Sequence, residues 1–376
     1  MQTVAANAVP ETWAGDAPTE SSSPLQAQYP WTKAPFICSA PMRLISGPDL
    51  AHAVSDAGGL GFIGAGVIGK DTKLQEIQER IKETLTLFAH PAQTKYPEDV
   101  SPFGIGFLVV GGPSEDEAYA AVGALSMPKP PAAIWLFPAF DPHMLQVWTQ
   151  GFRAKVRSKT KIWIQVGSVA QALEIAKLCR PDVLVIQGND AGGHGFAHSA
   201  SIMALLPEVD DALKNAGFDI PLVAAGGIAD GRGVAAATML GASGCAMGTR
   251  FLASEEANIS HGYRQAVLDA SDGGVSTVRT DVYDRLRGTA AWPPGYNGRG
   301  VANRSWWDSK VVDESENRRR YGEAMAQGDL AWGPDGRATT YAGTAVGLVK
   351  GKKPAGEIVF EVREEATRLL LKGARR

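Results

Sequence analysis

The chain has 376 residues, 44% of them apolar, with a formal net charge of −3 and a mean hydropathy of −0.10. These values suit a large soluble core and exclude both a basic nucleic-acid surface and, with no apolar run near 20 residues, a membrane span. Cys38, Cys179 and Cys245 lie too far apart for a disulfide framework or metal-ligand spacing, which points to a reducing compartment and a cytoplasmic location.

Residues 1–30 are rich in Ala, Ser, Thr and Pro and have neither the basic start nor the apolar centre of a secretory signal. They are expected to form a tail that is poorly ordered or draped over the surface, with the folded part starting near Tyr29-Pro30-Trp31. An alternation of short apolar runs and helical stretches follows. Phe36–Met42 predicts a first strand, with Pro41 suited to its end rather than its middle. Asp49–Ala57 predicts a short helix, and Leu60–Gly66 a second strand. Leu74, Ile77, Ile81, Leu85 and Leu87 form an amphipathic helical stripe. Phe103–Val109 is the third strand, and Ser114 with Glu117 three residues on has the pattern of a capping box.

Ala133–Phe137 predicts strand four, with a helix opening at Asp141-Pro142. Lys161–Val166 predicts strand five, with Ser168 capping a helix to about Cys179. Val183–Gln187 is an unbroken apolar run suited to a strand buried on both faces. Pro221–Gly227 and Gly244–Arg250 predict strands seven and eight, with a helix from Asp230 to Leu240 between them. Eight strands, each followed by a helical segment, predict an α/β fold of the TIM (β/α)8 barrel type over residues 31–270. A doubly wound open sheet is the competing arrangement. Beyond Ala270, Gly273-Gly274, Trp292-Pro293-Pro294-Gly295 and Asn297-Gly298 interrupt any long element. Residues 271–354 are therefore expected to be a smaller added subdomain that caps the barrel, including a charged helix over 311–327. Residues 355–376 carry a closing helix. The Arg318-Arg319-Arg320 cluster reads as a solvated face.

Barrel chemistry sits at the carboxyl ends of the strands, and phosphate sites recur after strands seven and eight. Those ends are Ala225-Gly226-Gly227 and Gly248-Thr249, where small residues expose backbone N–H groups to an anion. The same glycines also suit close helix–strand packing. After strand six comes Asp190-Ala191-Gly192-Gly193-His194-Gly195, a glycine-rich segment with one histidine. It suits either a ligand-facing imidazole or a tight turn. Ala40-Pro41-Met42 forms a ledge of small and soft residues for a planar ring, although Met42 would serve equally as core filler. Gln165 offers a donor and an acceptor at the mouth, or a buried amide satisfied by backbone. His143, His198 and His261 show no pairing that reads as a metal site.

Taken together, Ala40-Pro41-Met42, Asp190–Gly195, Ala225-Gly226-Gly227-Ile228, Met247-Gly248-Thr249-Arg250 and the late Tyr341-Ala342-Gly343 resemble the motif set of the FMN-dependent nitronate monooxygenases, also called 2-nitropropane dioxygenases. The resemblance runs from about Tyr29 to the C-terminal helix. It implies a TIM barrel with a smaller added domain and non-covalently bound FMN. It assigns Gly226, Gly227, Gly248 and Thr249 to the FMN phosphate, Ala40, Pro41 and Met42 to the flavin ring, and Gln165 to its polar edge. Gly193 and Ala225 complete the cofactor-binding set, and His194 matches the active-site histidine. The implied partners are a nitronate or nitroalkane and O2, with a carbonyl compound and nitrite as products; a homodimer is left open.

The sequence departs from the family pattern at Asp190, where many members have Glu, and at Trp135–Pro138 and Trp292–Pro294. His194 is expected to act either as a general base towards a neutral nitroalkane or, protonated, as a stabiliser of the nitronate anion. The alternatives are an FMN-dependent NAD(P)H enoyl reductase, a flavin-free phosphate-binding isomerase or lyase, and a non-catalytic binding barrel.

Overall fold

The computed structural model describes residues 24–66, 74–88, 96–109, 127–137, 141–156, 160–289, 292–333 and 335–374. Its strands in chain order are β1 (Ile37–Ser39), β2 (Gly61–Gly66), β3 (Ser101–Leu108), β4 (Pro131–Phe137), β5 (Lys161–Val166), β6 (Val183–Gln187), β7 (Gly193–Phe196), β8 (Leu222–Ala225), β9 (Gly244–Met247), β10 (Thr277–Thr280) and β11 (Tyr296–Val301).

Eight of them form one parallel sheet in the order β1-β9-β8-β6-β5-β4-β3-β2. The sheet closes on itself where Cys38 bridges Leu60, with Leu60 N donating to Ile37 O at 3.0 Å. These are the eight strands expected from the sequence, closed into a TIM barrel. Their continuous apolar runs have a physical cause, because alternate residues face two different cores. Ile134, Leu136, Ile162, Ile164, Leu184 and Ile186 face the surrounding helices, while Ala133, Trp135, Phe137, Trp163, Val183 and Val185 fill the lumen. Phe62, Trp135 and Trp163 meet there with ring centroids 5.2–5.7 Å apart. Gly104 is required beside them, since a Cβ there would lie 2.2 Å from the Phe62 ring.

Sequence capping signals place several helices correctly. Asp141, Ser168 and Asp230 each accept a hydrogen bond from the first turn of the helices Pro142–Lys155, Val169–Cys179 and Gly231–Met239. The expected capping box at Ser114 lies outside the described residues. The long C-terminal helix Ala355–Ala374 docks on Gly231–Met239, where Glu365 Oε2 accepts from Gly231 N at 2.8 Å. The charged helix spans Glu314–Met325. Its Arg318 pairs with Glu314, and its Arg319 with Glu316 and Glu323.

Residues 24–28 correct the expectation of a tail that is poorly ordered or draped over the surface, and the fold begins a few residues before Tyr29. Pro24–Gln28 is helical, and Leu25 and Tyr29 are fully buried against the starts of the barrel strands. Trp163 Nε1 donates to the Tyr29 hydroxyl at 2.7 Å. Two large side chains and one buried hydrogen bond thus plug the amino-terminal end of the barrel, a role that the polar composition around them concealed.

A second, three-stranded antiparallel sheet, β10-β11-β7, lies at the other end. Its third strand comes from the glycine-rich segment after β6, so His194 lies on a strand rather than in a turn. His194 is paired with Gly298, Gly193 with Arg299, and Arg279 with Arg299.

Candidate active site

The ledge after β1 is held by its own chain. Ala40 N donates to Met247 O of β9 at 2.9 Å. The Ser46 hydroxyl donates to Ala40 O and accepts from Met42 N, both at 3.1 Å. Pro41 lies on β3, where a Cβ at Gly106 would fall 2.3 Å from it. A Cβ at Gly248 would stand 3.7 Å from Ala40 Cβ and 3.9 Å from Met42 Sδ, so the ledge and the turn after β9 adjoin.

The turn after β8 is built for backbone exposure. Gly226 and Gly227 adopt φ of +102° and +76°, angles that disfavour any side chain. The amides of Gly226, Gly227 and Gly248 have no acceptor among the described residues. Thr249 Oγ1 accepts from Gly343 N at 3.0 Å, which brings the late Tyr341–Gly343 segment against the same turn. Gly343 also packs on the Asp190 loop, and Thr344 donates through N and Oγ1 to Asp190 O and Oδ1. Ala225 ends β8, and its carbonyl accepts from Gly188 N at 2.9 Å. Gln165 Oε1 accepts from Trp135 Nε1 at 3.1 Å, so this amide is already engaged with the lumen. At Gly193, with φ of +70°, a Cβ would meet nothing within 4 Å.

His194 is the centre of a hydrogen-bonded cluster that the sequence did not reveal. Its Nε2 lies 2.9 Å from both Asp284 oxygens. A carboxylate can only accept, so Nε2 carries the proton at this contact. Tyr341 Oη donates to Asp284 Oδ1 at 2.9 Å, and Thr289 Oγ1 does so at 3.3 Å. The imidazole stacks on Trp292 with centroids 3.6 Å apart and planes 9° from parallel. Nδ1 has no partner among the described residues. Burial lowers the His194 pKa from its ordinary 6.5 against the opposing pull of Asp284; Arg287 and Arg279 lower it further.

The strand carrying His194 is clamped from both sides. Arg279 donates to Asn189 Oδ1, Asn189 O, Ala191 O and Asn297 O at 2.8–3.1 Å. Arg299 donates to Asn189 O and Oδ1 at 3.0 and 3.1 Å. Gln187 Nε2 donates to His194 O at 3.1 Å. Asp284, Arg279, Arg299 and Asn189 carry no local motif; only their contacts across about a hundred residues give them a role. Among the described residues, no group of three or more His, Cys, Asp or Glu side chains is arranged to hold a metal, and no helix is long and apolar enough to cross a membrane.

Comparison with known proteins identifies the family. The nitronate monooxygenase family profile matches residues 29–93 and 149–291. The chain is 45% identical to the nitronate monooxygenase NpaC of Metarhizium robertsii, over 93% of this chain and 96% of that one. It is 36% identical to the nitronate monooxygenase of Neurospora crassa, over 91% and 92%. Among solved structures, FabK from Thermotoga maritima superposes with a TM-score of 0.69 at 23% identity, covering 93% of this chain and 97% of that one. Nitroalkane oxidase from Streptomyces ansochromogenes superposes with a TM-score of 0.66 at 21% identity, covering 93% and 99%. At these identities the structures speak for the barrel fold alone. The profile and the sequence relatives go further: the chain is an enzyme of the nitronate monooxygenase family, a family of flavin-dependent oxidoreductases.

Proposed function

We propose that this enzyme binds FMN non-covalently at the carboxyl-terminal mouth of the barrel and oxidises alkyl nitronates with O2 to a carbonyl compound and nitrite. Two nitronates and one O2 balance two carbonyls and two nitrites. The residues fit such a cofactor. The Gly226-Gly227 turn and Gly248 offer amides without protein acceptors to a phosphate, with Thr249 beside them. Ala40, Pro41 and Met42 offer a flat ledge beside Gly248 for the ring, with Ala225, Gly193 and Gln165 around the mouth. When bound, the flavin supplies the capacity to take electrons from the substrate and pass them to O2.

The observation that carries the reading is the His194 imidazole, pinned at Nε2 and without a described partner at Nδ1. Its lowered pKa keeps it neutral near pH 7, the form a general base needs. His194 removes the α-proton of a neutral nitroalkane; the resulting imidazolium lies against Asp284 and faces the nitronate it has formed. The stack with Trp292 shields one face of the ring from water.

An absorbance spectrum of the purified protein, followed by anaerobic mixing with a nitronate or with NADPH, tests this. A flavin spectrum that bleaches with nitronate and not with NADPH is expected. Bleaching by NADPH alone assigns a reductase instead, and a colourless protein that takes up no FMN ends the flavin assignment.

A further inference from the structure

Asp284 accepts hydrogen bonds from three sources in a nearly dry setting. Its side chain is 3% exposed and that of His194 12%. Its oxygens receive His194 Nε2 from β7, Tyr341 Oη from the segment after residue 340, and Thr289 Oγ1 from just beyond the helix Val282–Arg287 that carries Asp284. The Tyr341 ring is itself fixed, because a Cβ at Gly298 would lie 2.6 Å from Tyr341 Cε1. The carboxylate therefore has little freedom to turn away from the imidazole.

We infer that Asp284 is a positioning residue: held by Tyr341 and Thr289, it keeps the His194 proton on Nε2 and so assigns Nδ1 as the atom that takes the substrate's α-proton. A neutral imidazole carries one N–H, and the hydrogen bond made by one nitrogen decides the state of the other. With Nε2–H directed at Asp284, Nδ1 keeps its lone pair and faces no described acceptor or donor. In the step itself the Cα–H bond of the nitroalkane breaks, its electron pair becomes the C=N bond of the nitronate, and the proton moves to Nδ1. Asp284 then faces a full imidazolium, and its negative charge favours that product. The other charges near the ring, Arg287 from the Asp284 helix and Arg279 from β10, oppose protonation, so Asp284 is the group that offsets them.

This inference rests on the reaction proposed above, and its test separates the two. Nitrogen-15 spectra of histidine-labelled, flavin-loaded wild type read the tautomer directly. An unprotonated Nδ1 and a protonated Nε2 are expected at neutral pH, and a protonated Nδ1 overturns the assignment. Asp284→Asn places an amide where either tautomer of His194 can be held. The ratio of kcat/KM on a neutral nitroalkane to kcat/KM on the preformed nitronate is expected to fall about 100-fold or more, within the usual range for losing a general base. Equal losses on both substrates, or an unchanged ratio with an unchanged pH profile, overturn it. Tyr341→Phe, which leaves the carboxylate in place, is expected to lower the same ratio several-fold; no change there removes Tyr341 from the arrangement. Wild type that turns over no nitronate fails the earlier reading and takes the role of Nδ1 as a base with it, while the nitrogen spectrum still decides the tautomer.

Discussion

Arg279 and Arg299 stand opposite each other across β10 and β11, and both guanidinium groups close on Asn189. Two like charges in register oppose pairing. Here neutral carbonyls satisfy them, and desolvation with the Arg299 charge lowers the Arg279 pKa to about 10. The pair spends its donors on the loop that leads into the His194 strand.

Arg279→Lys tests that clamp. A lysine keeps the charge but cannot fork across several acceptors. A loss of about 1–3 kcal/mol in unfolding free energy is expected for the carbonyls left unpaired. Turnover on neutral nitroalkanes is expected to fall as well, because the loop leads into the strand that carries His194. Denaturant melts alongside steady-state rates check both, and a variant equal to wild type in each would show the clamp to be dispensable.

Gly226→Ala bears on the cofactor. The position combines φ of +102° with a Cβ that would lie 2.9 Å from Ala191 N. The backbone strain alone costs about 1–2 kcal/mol. The turn is expected to shift and the protein to retain less flavin after gel filtration, read from its absorbance ratio. Full retention would detach this turn from the phosphate.

The pH dependence follows from His194. Its folded pKa lies below the ordinary 6.5, so the fold favours the neutral ring. The stability this contributes is fully present above pH 6.5 and is lost as pH falls through the folded value. Activity on neutral nitroalkanes is likewise expected to fall on the acid side of 6.5. His194→Asn should retain flavin, lose neutral-nitroalkane turnover, and flatten the acid limb of the stability profile. A limb that persists in this variant would belong to another group.

Tyr29→Phe and Tyr29→Ala probe the plug at the far end. The first leaves Trp163 Nε1 without its partner and should cost about 1–3 kcal/mol. The second also opens a cavity beneath Trp163, at about 3–5 kcal/mol. Thermal melts would show the order, and equal melting temperatures would mean that residues 24–31 add nothing to the barrel.

The barrel was legible because each strand is a short continuous apolar run and several helices carry a capping side chain at the start, such as Ser168 and Asp230. Leu25 and the short helix around it were not, since an apolar residue in a polar segment looks the same whether it is packed or free. The strand β7 escaped because two of its four residues are glycine, and its structure comes from β11, a hundred residues later. Among the site residues, the glycine turns and His194 stood out through composition. Asp284 sits in the charged run Asp281–Arg287, and nothing local distinguishes it from a solvated carboxylate.

His194 belongs to the small antiparallel sheet, whereas the Ala40–Met42 ledge and the glycine turns belong to the barrel. On the proposed reading, the reacting geometry is thus a seam between two walls laid down by different parts of the chain. Side-chain volume changed along that seam, as at Trp292 or Tyr341, would then retailor which nitro compound fits while leaving the proposed cofactor berth intact.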